Sequence, residues 1–135
     1  MTPEPSAPRV VIVDDDFLIQ AYLTEIVGGM GCRVVDTAGT AAEAIAAVER
    51  HRPDVVLLDV RLGSPPDGIA AAQAIKARAP EVGVIFITGS TEPETAARMA
   101  ALQPLAVLPK PILPEQLARI LCRDVPAQPR RVPPM

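Results

Sequence analysis

Five short segments of branched apolar residues recur along this chain: RVVIV (Arg9–Val13), RVVDT (Arg33–Thr37), DVVLL (Asp54–Leu58), VGVIFI (Val82–Ile87) and LAVL (Leu105–Leu108). β-Branched side chains are stiff at χ1 and pack well on a pleated surface, so segments of this length and composition favour strands. Their apolarity is near-continuous rather than alternating, the pattern of strands covered on both faces, as in a parallel sheet. Parallel neighbours cannot be joined by a tight turn, so each connection must cross back over the sheet, usually through a helix.

The intervening stretches have the length and punctuation of helices. Phe17–Val27 carries apolar residues at helical spacing and runs into Gly28-Gly29, a suitable stop. Thr40-Ala41-Ala42-Glu43 fits a capping box, opening a helix that Pro53 closes. Asp67 suits the N-cap of the alanine-rich run Gly68–Ala79, which Pro80 ends. Pro93 suits the first turn of a helix ending before Pro104, and Pro114 opens a last one to about Cys122. Strand and helix alternating five times predict an α/β chain: a (βα)5 flavodoxin-like, doubly wound parallel sheet with strand order 2-1-3-4-5.

The 135 residues suffice for one domain, expected over 9–123. Short polar tails, 1–8 and the Pro-rich 124–135, cannot bury a face and read as flexible. A domain of this size buries roughly two thirds of its unfolded surface and needs no disulfide. Cys32 and Cys122 form no metal-ligand spacing and read as small hydrophobes in a reducing compartment. A net charge of −3 argues against a nucleic-acid surface, and 2% aromatics leave no base-stacking platform. No apolar run approaches the ~18 residues of a membrane span, and MTPEPSAP lacks the features of a secretion signal. The expected location is the cytoplasm.

In the predicted strand order the first and third strands are neighbours at the switch point, where ligands bind beyond the carboxyl ends. Asp14-Asp15-Asp16 follows the first strand, Asp59 the third, Thr88 the fourth and Lys110 the fifth. Four loops therefore deliver polar groups to one rim. Crowded carboxylates resist ionisation unless a cation joins them. A hard divalent ion such as Mg²⁺ takes oxygen ligands and clamps phosphoryl oxygens. Lys110 adds a positive charge for a second oxygen, and the Thr88 hydroxyl a hydrogen bond for a third. Asp59 is then the nucleophile, since a carboxylate can form an aspartyl-phosphate. Positioning and charge neutralisation supply the catalysis.

The segments VVIVDDDF, VVLLDVRL, IFITGS and VLPKPI together resemble the response-regulator receiver domains of two-component signalling, over Arg9–Arg123. The resemblance implies Asp59 as phosphoacceptor, with Asp14 and Asp15 as the acidic pair. Asp15 would ligate Mg²⁺ directly, Asp14 through water, and Asp59 and the Arg61 carbonyl would complete the protein ligands. Thr88 and Lys110 would be the switch hydroxyl and the phosphate-pairing lysine, and the Lys110–Pro111 bond would be cis. The phosphoryl group would come from a sensor histidine kinase or phosphotransfer protein, as in a phosphorelay. A protein partner would read the result on the face of the fourth helix, fifth strand and fifth helix, about Glu92–Leu121. A phosphorylation-dependent homodimer is a further partner of that kind.

The sequence departs from the family in places. Val107 stands where many receivers carry an aromatic that changes rotamer on phosphorylation. The loop RLGSPPDG lacks the usual Met-Pro pair and is one residue longer than usual. Arg61 and Ser90 occupy positions that modulate loss of the phosphoryl group. Only a short tail follows the last helix, so the chain reads as a stand-alone receiver that signals through protein contacts, not a turnover enzyme. Two rivals remain: a receiver fold that acts without phosphate, and a haloacid-dehalogenase-type phosphatase using Asp14. The second needs an acidic pair after the lysine, where only Glu115 and Asp124 follow, and it gives Asp59 no role.

Among single residues, Asp16 reads as the first-turn acid of helix 1 rather than a third ligand. His51, between Arg50 and Arg52, reads as a solvated helix end, and Phe17, Tyr22 and Phe86 as packing residues. Arg130 and Arg131 read as inert.

Overall fold

β1 (Arg9–Val13) lies inside the sheet, paired in parallel with β2 (Arg33–Ala38) on one side and β3 (Val55–Asp59) on the other. β4 (Gly83–Thr88) and β5 (Ala106–Pro109) extend the sheet beyond β3, giving the order β2-β1-β3-β4-β5. This computed structural model describes residues 7–90 and 92–123. Of the expected tails, residues 1–6 and 124–135, with Arg130 and Arg131, lie outside the described residues. The Pro8 carbonyl accepts a 2.8 Å hydrogen bond from the Arg33 N–H at the start of β2.

Successive side chains of a strand point to opposite faces, and the core divides accordingly. Val10, Ile12, Val55, Leu57, Ile85 and Ile87 meet Leu23 and Val27 of α1 (Phe17–Gly29) and Leu117 and Leu121 of α5 (Pro114–Arg123). Val11, Val13, Val56, Leu58, Val84 and Phe86 meet the other three helices: α2 (Ala41–His51), α3 (Gly68–Arg78) and α4 (Pro93–Ala100). Every residue of β3 is buried, as the near-continuous apolar run predicts.

The predicted boundaries differ in an instructive way. β3, β4 and β5 each end one residue later than the apolar run. The ladder continues through the polar residue, pairing Asp59 with Ile87 and Thr88 with Pro109. Asp59 and Thr88 are thus strand residues, held as rigidly as the sheet itself. Helix α1 ends at the Gly28-Gly29 pair as expected, with both glycines inside its last turn. The residue that turns the chain away is Gly31, left-handed at φ 85°. The Cys32 N–H bonds the Val27 carbonyl at 3.3 Å and the Gly31 N–H bonds the Gly28 carbonyl at 3.1 Å. This is the Schellman arrangement, and Cys32 and Val27 pack in one core cluster beside it. At α2, Thr40 Oγ1 accepts from the Glu43 N–H at 3.1 Å, while Glu43 Oε1 reaches one residue further back, to the Gly39 N–H at 2.8 Å.

Gly68 opens α3 in contact with the end of β3, and a β carbon there would overlap the Asp59 carbonyl. Its N–H donates to the Val60 carbonyl at 2.8 Å. A side chain at 68 must therefore push α3 off the strand that carries Asp59. Gly29 has open space around it. Gly68→Ala should lose about 2–3 kcal/mol in urea unfolding, whereas Gly29→Ala should gain up to about 1 kcal/mol from helix propensity.

Candidate functional site

The carboxyl rim of the sheet gathers Asp14, Asp15 and Asp59: one carboxylate oxygen from each lies within 4.8 Å of the others. Asp14 is 3% exposed and Asp59 4%, whereas Asp15 faces solvent. Asp14 Oδ1 accepts from the Asp16 N–H at 2.9 Å. Asp59 Oδ1 accepts from the Arg61 N–H at 3.2 Å, and Asp59 Oδ2 meets Lys110 Nζ at 3.0 Å. The lysine reaches across from the end of β5, where its own N–H donates to the Thr88 carbonyl at 3.0 Å. The Lys110–Pro111 bond is cis, as the resemblance implies, and so is Pro65–Pro66. Thr88 Oγ1 accepts from the Ser90 N–H at 2.9 Å, which leaves the hydroxyl proton available to another acceptor.

Burial pushes the Asp14 carboxyl up to about 6, and the charges of Asp59 and Asp15 push the same way. The Asp16 N–H and Lys110 oppose them without winning. The cluster thus carries more negative charge than its surroundings neutralise, and its donors are all hard oxygens. That set suits a divalent cation of the Mg²⁺ kind.

Above Asp59 lies a cavity of about 630 Å³, lined among others by Arg61, Asp67, Thr88, Ser90, Thr95 and Lys110. A neighbouring space of about 750 Å³ adds Asp15, Gly63 and Arg98. The residues singled out in the sequence, Asp14, Asp15, Asp59, Arg61, Thr88 and Lys110, therefore stand together at one end of the sheet.

Asp16 is outside the carboxylate cluster and is the N-cap of α1, one position earlier than a first-turn acid. Its Oδ1 accepts from the Leu18 N–H at 2.8 Å and from the Ile19 N–H at 3.4 Å. Two participants escape the sequence. Gln20 is buried, and its Nε2 donates to the Asp14 carbonyl at 2.6 Å and the Ala38 carbonyl at 3.1 Å, pinning the β1–α1 loop to the end of β2. A polar residue within the apolar stripe of α1 is the one signal for it. Arg98 on α4 meets Asp67 at 3.0 Å and 3.4 Å, tying α4 to the cap of α3. Burial raises the Asp67 carboxyl, but the Ala70 N–H and Arg98 outweigh it and hold the group below the ordinary carboxylate range. His51 is not simply a solvated helix end, since its Nε2 lies 3.2 Å from Asp36 Oδ2. Nor are all the aromatics packing residues: Phe86 is buried, but Phe17 is 80% exposed and Tyr22 44%.

A family model described as a response regulator receiver domain matches residues 10–121. A protein-glutamate methylesterase/protein-glutamine glutaminase of Nitrosospira multiformis is 34% identical over 107 residues, 76% of this chain and 30% of that protein. The transcriptional regulatory protein PdtaR of Mycobacterium tuberculosis is 33% identical over 105 residues, 76% of this chain and 49% of that protein. The chain thus spans a third to a half of the length of these relatives. Among solved structures, the signal receiver domain of a modulated diguanylate cyclase from Desulfovibrio desulfuricans G20 superposes with TM-score 0.81 at 30% identity. That match covers 88% of this chain and 94% of the other.

The raised Asp14 carboxyl has a definite sign in stability. Folded Asp14 holds its proton more tightly than the unfolded chain, so its ionisation penalises the fold. The penalty is absent below about pH 4, grows as the pH rises from the ordinary value of 3.8 to about 6, and is full above that. Without divalent cations, Asp14→Asn should be more stable than wild type at pH 7.5 by about 1–2 kcal/mol, and the advantage should vanish at pH 4. Thermal melts at the two pH values check both halves of this expectation.

Proposed function

The chain belongs to the response regulator receiver family, and from that premise we propose that Asp59 accepts a phosphoryl group in a Mg²⁺-dependent reaction. The donor is a phosphohistidine of a sensor histidine kinase or phosphotransfer protein, and the protein acts in the cytoplasm. Receiver domains are signalling modules rather than turnover enzymes, and the resemblance to methylesterases is a resemblance to their receiver part. The observation that carries the reading is the surroundings of Asp59. One buried carboxylate at the end of a fully buried strand meets an ammonium at 3.0 Å and two further carboxylates.

The steps follow from those surroundings. A lone pair of the Asp59 carboxylate forms the new O–P bond while the P–N bond to the donor imidazole breaks and that nitrogen takes the electron pair. Lys110 holds Asp59 beforehand and, once the oxygen is esterified, turns its charge to a phosphoryl oxygen. Thr88, accepting from Ser90 N–H, donates its own proton to another. Asp15 directly, Asp14 through water, Asp59 and the Arg61 carbonyl would hold Mg²⁺, which would supply the charge neutralisation that lets an anionic donor approach these acids. The same residues assist hydrolysis of the product, water replacing the imidazole.

Readout falls to a protein partner on the face built by α4, β5 and α5. Val107 and Leu113 present 41% and 49% of their surface there. Valine has no aromatic ring to swing, so displacement of α4 itself carries the signal. Among the described residues no helix is long and apolar enough to cross a membrane.

Intact-mass spectrometry after incubation with acetyl phosphate tests the chemistry. Wild type with Mg²⁺ should gain one phosphoryl group, and EDTA or Asp59→Asn should abolish the gain. An adduct that survives Asp59→Asn would move the acceptor to Asp14 and revive the phosphatase reading. No adduct on wild type, with phosphoramidate as a second donor, would leave a phosphate-independent interaction module.

A further inference from the structure

The connection from β3 to α3 passes the acid cluster through an uncommon turn. Leu62 is anchored in the core, the Ser64 N–H returns to the Leu62 carbonyl at 2.9 Å, and Gly63 between them sits at φ 79°. A hydrogen bond from i+2 to i around a positive φ is the rare form of the γ-turn. It aims the position of the absent side chain at one group. A β carbon on Gly63 would lie 2.9 Å from Asp15 Oδ2 and 3.8 Å from its Cγ, and apart from its chain neighbours no other residue comes within 4 Å of it.

The three acids of the cluster are held very differently. Asp14 is fixed by the Asp16 N–H, and Asp59 by the Arg61 N–H and Lys110. Among the described residues no hydrogen bond or ion pair holds the Asp15 carboxylate, which is exposed. Its place within 4.8 Å of the other two therefore depends on the space around it. The backbone of Gly63 forms the wall on one side.

We propose that Gly63 is a positioning residue for Asp15: the missing side chain leaves room for the carboxylate to complete the divalent-cation site. A side chain at 63 moves the far end of an unanchored carboxylate rather than the backbone, so the expected damage is to cation binding more than to the fold. The proposal rests on the metal reading of the acid cluster. It adds to that reading a reason why the loop RLGSPPDG carries glycine at this point.

Gly31 provides the control. It too has a positive φ, 85°, but apart from its chain neighbours a β carbon there meets nothing within 4 Å. Alanine at either site carries the strain of a positive φ; only at 63 does it also meet Asp15. Mg²⁺ should be titrated into the full chain, following the amide NMR shifts of Asp14–Asp16 and Val60–Leu62, with no phosphodonor present. Gly63→Ala should raise the Mg²⁺ Kd roughly tenfold, the scale of a lost supporting contact around a metal site. Gly31→Ala should leave the Kd within about twofold of wild type. Gly63→Asn, a residue that tolerates positive φ and carries the same β carbon, provides the measurement if the alanine chain does not fold. Equal losses at 63 and 31, or an unchanged Kd for both Gly63 variants, would overturn the proposal. A wild-type chain whose amides do not respond to Mg²⁺ would instead sink the metal reading beneath it, a separate and recognisable failure.

Discussion

Three carboxylates packed this closely repel one another, and the rim of the sheet is organised around containing that repulsion. Two of the three are buried, where charge is hardest to keep. Among the described residues the only ammonium at the cluster is that of Lys110, just past the end of β5 and three strands away from the loop that supplies Asp14 and Asp15. It reaches Asp59 because parallel strands place all their carboxyl ends on one side. An antiparallel arrangement would have scattered the same residues between two rims. The strand order adds the second requirement, since β1 and β3 must be neighbours for Asp14 and Asp59 to meet.

The containment is incomplete, as the raised Asp14 carboxyl shows. One ammonium does not neutralise three acids. A chain that relieved the strain fully, with a second lysine or an amide in place of Asp14, would be a more stable fold and a poorer receptor for a cation. The site is held in a state that favours an incoming positive charge, and the bonds that fix Asp14 and Asp59 keep those two carboxylates from moving apart.

Much of this was legible in the sequence because it is carried by periodicity and punctuation. Branched runs separated by helix-length stretches give the sheet and its order, and the polar residues at their ends give the rim. What was not legible depends on where loops travel in space. The end of α1 at Gly28-Gly29 is legible, but the left-handed residue of its Schellman cap is Gly31, which the glycine pair does not announce. Asp16 is a cap rather than a first-turn acid, a difference of one residue that only the turn geometry decides. The pairs Asp67–Arg98 and Asp36–His51 join residues 31 and 15 positions apart in the sequence, and nothing local announces either. The exposure of Phe17 and Leu18 reflects the side of α1 that the sheet leaves uncovered, which helical spacing alone does not identify.

The distance in sequence between Asp59 and Lys110 has a consequence for a growing chain. Their separation of 51 residues means that a ribosome makes all three acids long before their cation. A partly synthesised chain can pair β1 with β2 and β3, yet its acid cluster lacks the ammonium that holds the Asp59 carboxylate. The surroundings of Asp59 are complete only when β5 docks on β4, the last strand pairing of the sheet. The full set of charges at the rim is therefore a property of the whole sheet, present once its last strand has docked rather than assembled piece by piece.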